Sequence, residues 1–265
     1  NGHISEATNS ALALVNGDFV AFMDHDDELH LTALQSVAQH ILNNPHVEFI
    51  YSDEDKIDES GNRSEPHFKS DFNYELLLSQ NYICHLVVVK TTLVKKLGGL
   101  DSNYNGAQDH EFILRAIENI EPKQISHIPK VLYHWRIHSA STAASTEAKP
   151  YAIEAGRKAV KDHLTRIGLP AHVTKHPIIP FWHRVKFDLI TTPSIEIIIP
   201  TRDRIDLMRM CINSIVKKTT FNNYHITIVD NGSVEKETWE QFSKWEKTNK
   251  KISVLRDDSP FNYSR

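Results

Sequence analysis

The stretch Phe19-Val20-Ala21-Phe22-Met23-Asp24-His25-Asp26-Asp27-Glu28 decides how this chain is read. Five apolar residues in a row read as a buried strand. The four carboxylates directly behind them are costly unless a cation neutralises them. In α/β sheets, ligands bind beyond the carboxyl ends of the strands, where this acidic run falls. Hard oxygen donors at this density suit Mg²⁺ or Mn²⁺, which in turn suit a diphosphate. A plainer reading competes: Asp27 caps a helix beginning near Leu31, and the other acids are solvated.

Outward from this run, the pattern predicts a helix from Ser5 to about Val15, the strand Asp18–Met23 and a helix from about Leu31 to Asn43. Val47–Tyr51 reads as a second strand running into Ser52-Asp53-Glu54-Asp55, a second acidic strand end or a solvated turn. His85–Val89 reads as a strand, Thr91–Leu97 as a helix stopped by Gly98-Gly99, and Asp109 to about Ile120 as a helix. Short strands are expected at Ile125–Ile128 and Val131–Trp135, either side of Pro129. Ser139–Thr146 reads as a loop, Tyr151–Ile167 as an amphipathic helix, and the segment through Phe181 to Pro193 as a linker with strand character. From Ile195 onward, strands at Ile195–Pro200, Ile226–Val229 and Ile252–Leu255 alternate with helices at Ile205–Lys217 and Glu235–Lys247. That order predicts a parallel, doubly wound sheet.

At 265 residues and 40% hydrophobic, the chain can bury one large core or two modest ones. The net charge of −4, with acids and bases interspersed, gives no footprint for nucleic acid. Its 16 histidines lack the Cys/His spacing of a zinc site. Cys84 and Cys211, each in an apolar context, read as buried thiols in a reducing compartment. No apolar run approaches the roughly 18 residues of a membrane helix, so no transmembrane segment is expected. The expected location is cytoplasmic, with peripheral contact at the inner membrane face. Both ends, Asn1 and Arg265, read as cut, which suggests a fragment.

Several ordered segments together resemble family 2 inverting glycosyltransferases of the GT-A fold. They are Asn1–Leu12, Asn16–Asp27, Gly106-Ala107-Gln108-Asp109-His110-Glu111, Leu132–Ser141, Ile197–Arg204 and Ile228–Ser233. The resemblance implies an α/β, Rossmann-related mixed sheet with flanking helices, organised here as two partial domains. In the family, the Pro-Thr and Val-Asp strand ends precede the acidic motif; here they follow it. The expected division is therefore residues 1–149 as the C-terminal part of a first domain, 150–193 as a helix and linker, and 194–265 as the N-terminal part of a second. A circularly permuted single domain is the rival account. The isolated fragment is expected to be poorly active.

The resemblance also implies roles. Asp26 holds Mg²⁺ or Mn²⁺ with Asp24 beside it, and Asp109 is the general base, unless it merely caps its helix. Arg136, His138, Thr201 and Asp230 join Asp24 and Asp26 on the donor side; otherwise His134 and Trp135 of that segment are ordinary strand residues. Asp53, Glu54 and His85 are acceptor-side candidates, with a core histidine the plainer reading of His85. The implied substrates are a nucleoside diphosphate sugar and a glycan or lipid-linked glycan acceptor, in surface polysaccharide synthesis. Rival functions are a non-catalytic nucleotide or glycan-binding module and a nucleotidyltransferase.

Overall fold

In a computed structural model that describes residues 3–137, 150–179 and 181–260, helix α1 (His3–Leu12) leads into strand β1 (Phe19–Phe22). The acidic turn follows, then β2 (Glu28–Leu29) and α2 (Ala33–Asn43). Next come β3 (Phe49–Ile57), β4 (Arg63–His67), α3 (Tyr74–Ser79), β5 (Val87–Lys90) and α4 (Thr91–Leu97). Gly98 closes α4 at φ 75°, a left-handed conformation that a glycine adopts without steric cost. Helix α5 (Gln108–Ile117), strand β6 (Ile125–Arg136), helix α6 (Pro150–Arg166) and the hairpin β7 (Ala171–Lys175) and β8 (His183–Phe187) complete a first compact unit, Asn1–Asp188.

Its main sheet runs β1-β5-β3-β6-β2, with β4 added to the far half of β3. The β3–β6 pair is parallel and the other pairs are antiparallel, so the sheet is mixed. Side chains alternate across a strand, and β3 uses both faces. Phe49 and Tyr51 join a core with Leu77, Val87, Val89, Phe112 and Val160, under α3, α5 and α6. Ile50 points the other way, into a cluster with Val37, Val88, Leu132 and Tyr133 under α2. Both faces are therefore covered, as the mixed sheet with flanking helices requires.

Several expectations change. β3 does not stop at Tyr51: it continues through Ser52-Asp53-Glu54-Asp55, all four buried, so this run is neither a turn nor solvated. The two strands expected around Pro129 are one strand. Ser52 pairs with Ile128 and Asp53 with Val131, leaving Pro129-Lys130 as a bulge where proline has no N–H for the ladder. The expected linker is half hairpin, because β8 pairs with β7, a strand the pattern did not single out. Cys211 is exposed rather than buried. His138 and the loop Ser139–Thr146 lie outside the described residues, as does Phe261 onward.

The second compact unit, Leu189–Arg265, holds β9 (Ile195–Thr201), α7 (Ile205–Lys218), β10 (Tyr224–Asp230), α8 (Lys236–Thr248) and β11 (Ile252–Arg256). The three strands are parallel in the order β11-β10-β9. Met208 and Ile212 of α7 share one core with Phe242 and Trp245 of α8 and with Ile226 and Ile228 of β10. Both helices therefore cover the same face, and among the described residues this sheet is wound on one side rather than two.

Candidate active site

The acidic turn behind β1 is fixed from one side by β6. Asp27 is buried, and its carboxylate accepts from the Tyr133 hydroxyl and from the Arg136 backbone N–H at 2.8 Å. The same Tyr133 oxygen accepts from the Asp24 N–H at 3.2 Å. Arg136 donates through Nε to the Asp26 carbonyl at 2.7 Å and through Nη2 to the Glu28 carboxylate. Asp27 thus clasps the turn to the sheet instead of capping α2, whose N-cap is Thr32. With Asp27 held inward, Asp24 projects outward, its side chain half exposed. Burial and then the neighbouring carboxylates Asp27, Asp26 and Asp109 raise the Asp24 pKa, with His85 opposing them. Such crowding of like charge favours a cation.

Asp53, Glu54 and Asp55 are placed differently. Each carboxylate meets at least one histidine: Asp53 meets His127 Nε2 at 2.8 Å, Glu54 meets His85 Nδ1 at 3.1 Å and His67 Nδ1 at 3.4 Å, and Asp55 meets His134 Nδ1 at 2.5 Å. Asp53 also accepts from the Lys69 N–H at 2.8 Å, and Asp55 pairs with Arg63 Nε at 2.6 Å. Burial alone would raise Glu54. Hydrogen bonds from His67 and His85 and the charge of Lys69 outweigh it and hold Glu54 well below the carboxylate range. Burial likewise disfavours the imidazolium of His85, but Cys84 and Glu54 beside it lift its pKa above the ordinary histidine range. Of the three acceptor-side residues expected from the sequence, His85 lines the cleft that also holds Asp24 and Asp109, and Asp53 and Glu54 do not. Asp53 and Glu54 sit behind its wall, committed to other side chains.

That cleft, about 390 Å³, is lined by Asp24, Cys84, His85, Gln108 and Asp109 over an apolar floor that includes Val20, Phe22 and Phe112. Asp109 stands in the first turn of α5, one residue past its start, so it does not cap the helix; Ala107 occupies that position. Asn81 Nδ2 donates to Asp109 Oδ2 at 2.8 Å, which fixes one carboxylate oxygen. Gly106, just before α5, has φ 98°, and a Cβ there would sit 2.6 Å from the Tyr151 ring, so only glycine fits this approach. His85 Nε2 lies 3.9 Å from Asp24 Oδ2, and its ring stacks on Tyr133 with centroids 4.7 Å apart. One oxygen or nitrogen from each of Asp24, Asp27 and His85 lies within 4.8 Å of the others.

In the second unit, Thr201 and Asp230 are paired neighbours at the carboxyl ends of β9 and β10. Asp230 is fully buried, accepting from the Ser233 N–H at 3.2 Å and pairing with Arg256 Nη1 at 3.0 Å. The structure therefore brings Asp24, His85 and Asp109 onto one cleft in the first unit, keeps Asp26 and Arg136 on the adjoining turn and strand, and pairs Thr201 with Asp230 in the second. Tyr133, Lys69 and Asn81 were not singled out from the sequence. Tyr133 lay inside the resembling segment Leu132–Ser141, whereas Lys69 and Asn81 carry no local motif.

The sequence profile described as "Glycosyl transferase family 2" matches residues 1–98 and 196–265. The chain is 46% identical over 265 residues to an uncharacterized protein, y4gI, of Sinorhizobium fredii, covering 100% of this chain and 29% of that protein. It is 36% identical over 262 residues to the O-antigen biosynthesis protein RfbC of Myxococcus xanthus, covering 99% of this chain and 20% of that one. The chain thus spans less than a third of the length of either relative. Among solved structures, it is similar to S. aureus TarS 1–349 in complex with UDP-GlcNAc, with 20% identity, a TM-score of 0.47, and coverage of 62% of this chain and 47% of that one. No helix among the described residues is long and apolar enough to cross a membrane. By its sequence match in both units, the chain belongs to glycosyl transferase family 2.

Proposed function

We propose that this chain contributes to sugar transfer, with inversion, from a nucleoside diphosphate sugar to a glycan or lipid-linked glycan during surface polysaccharide synthesis. The observation that carries this reading is the placement of Asp24 and Asp109 on one open cleft, with the other carboxylates of the turn crowded behind Asp24. The O-antigen biosynthesis relative supports the choice of glycan. The working location is cytoplasmic, peripheral at the inner membrane face.

The donor chemistry of the turn suits Mg²⁺ or Mn²⁺, which Asp24 and Asp26 would hold through hard carboxylate oxygens, beside the Asp24, Asp27 and His85 atoms that lie within 4.8 Å of one another. Such an ion would supply Lewis-acid charge to the leaving diphosphate. The protein's own groups do the rest. Asp109, with Oδ2 tied to Asn81, keeps Oδ1 to take the proton of the attacking acceptor hydroxyl. Attack opposite the departing diphosphate inverts the anomeric centre. His85 lines the acceptor side of the cleft, and Arg136 offsets the charge of the turn next to the diphosphate. His138 is proposed to join that donor side.

Thr201 and Asp230 are proposed to form the nucleotide side of a second site, so that the chain holds parts of two tandem transferase domains, divided between residues 1–149 and 194–265. Transfer and donor hydrolysis by the full-length protein test the first site. Asp109→Asn is expected to cost roughly 10²–10⁴-fold in turnover, and Asp26→Ala at least about a hundredfold. Unchanged turnover in both variants sinks the reading. Metal-dependent nucleotide binding without turnover in the parent protein would mark a binding module instead.

A further inference from the structure

We propose that Lys69 is a positioning residue that sets the loop of residues 81–86, and through it both Asp109 and the acidic turn. The roles of Asp109 and the turn rest on the reading given above, whereas the loop stands on geometry alone. The Lys69 side chain is fully buried. Its Nζ donates to the carbonyls of Ile83, at 2.6 Å, and of His85, and lies 3.3 Å from Glu54 Oε2. Glu54 Oε2 in turn accepts from the His85 N–H at 3.0 Å and from His85 Nδ1 at 3.1 Å. Two charged side chains therefore grip Ile83 and His85 from behind the wall of the cleft. Between those two residues, Cys84 holds φ 44°, a left-handed conformation that a non-glycine residue keeps only when its surroundings impose it.

The outward groups of the same loop reach the site at two places. Asn81 donates to Asp109 Oδ2 at 2.8 Å and accepts from the Cys84 N–H at 3.3 Å. His85 stacks on Tyr133, the residue that clasps Asp27, and points Nε2 at Asp24. Lys69 itself touches none of the reacting groups, since its contacts are Ile83, His85 and Glu54, with its backbone N–H on Asp53. Buried ammonium groups are retained where their acceptors are fully arranged around them. Here that arrangement fixes one loop that addresses the proposed base and the proposed metal turn together. Groups that hydrogen-bond a metal's ligands change its affinity by about 10–100-fold, and Lys69 acts one step further back, reaching Asp24 through His85.

Lys69→Met keeps the length of the side chain and removes the donors. The two cysteines provide a readout independent of activity: Cys84 sits in the loop, while Cys211 is exposed in the second unit and serves as an internal reference. In Lys69→Met, Cys84 is expected to alkylate faster than in the parent with Cys211 unchanged, and Mn²⁺ affinity, measured by electron paramagnetic resonance, to fall by up to about tenfold. A folded Lys69→Met protein with parental Cys84 labelling and parental Mn²⁺ affinity overturns the proposal. Should circular dichroism show that this variant does not fold, Asn81→Ala decides instead. It is expected to lower kcat about tenfold with donor KM and the unfolding midpoint unchanged, and parental kcat in that variant overturns the proposal. If Asp26→Ala binds Mn²⁺ as the parent does, the metal reading fails, while the Cys84 rate still reports whether Lys69 holds the loop.

Discussion

Two acidic runs follow apolar strand residues in this chain, and they have opposite fates. Asp24, Asp26, Asp27 and Glu28 end a four-residue strand, and only Asp27 turns inward. Asp53, Glu54 and Asp55 lie within a nine-residue strand, and all three are buried against histidine, lysine or arginine. What separates them is where cations are supplied. Four histidines (His67, His85, His127 and His134), Lys69 and Arg63 hydrogen-bond or pair with the second run. The first run has Arg136 on its backbone and on Glu28, and Asp24 is left facing a cleft whose nearest basic group is His85 at 3.9 Å. Carboxylates partnered inside the fold are costly to orphan, and carboxylates crowded at an opening are available to a ligand.

Glu54→Ala presses hardest on this contrast. It removes the partner of a fully buried ammonium and of His85, so unit 1 is expected to lose about 3–5 kcal/mol of stability, read from denaturant midpoints. A loss below about 1 kcal/mol would mean that the second run is as expendable as a solvated turn.

A histidine without a carboxylate sharpens it further. His183 is buried, and its Nδ1 has no hydrogen-bond partner among the described residues. Burial first, then the charges of His110 and Arg157, push its pKa down to about 4. The unfolded chain protonates this ring near pH 6.5 and the folded protein only near 4, so the unfolded state binds more protons across that window. Stability is therefore fully present above about pH 6.5 and is lost as pH falls towards 4, by about 3 kcal/mol at 1.36 kcal/mol per pH unit. His183→Phe is expected to flatten that part of the stability profile. A parental slope in the variant would assign the acid sensitivity elsewhere.

Much of this was legible in the sequence because local rules and packing agreed. Thr91–Leu97 with its Gly98 stop is a helix with the expected bounds, and the strand–helix alternation after Ile195 gave a parallel sheet. The acidic turn and the first turn of α5 were visible as motifs. What stayed hidden depends on partners distant in the chain. Nothing near Asp53–Asp55 announces that His127, His85 and His134, all at least 31 positions away, will hydrogen-bond to it. A run of three acids reads as a turn until those partners are known. Lys69 is hidden for the same reason, since its acceptors, Ile83 and His85, are backbone carbonyls and carry no sequence signal.

The smallest expected effect is the most discriminating between the two runs. Asp24 is half exposed and has its pKa raised by burial and then by like charge, so ionising it opposes folding rather than assisting it. For a carboxyl whose folded pKa lies above its unfolded value, the native state binds more protons between the two, and stability falls as pH rises through that window. Asp24→Asn removes this charge while keeping the shape. It is expected to leave stability within about 0.5 kcal/mol of the parent, on the stabilising side at neutral pH, while weakening Mn²⁺ binding. Thermal unfolding and Mn²⁺ titration of the same preparation decide it. Substantial destabilisation with intact metal binding would put Asp24 in the same structural role as Glu54, and the contrast between the two acidic runs would collapse.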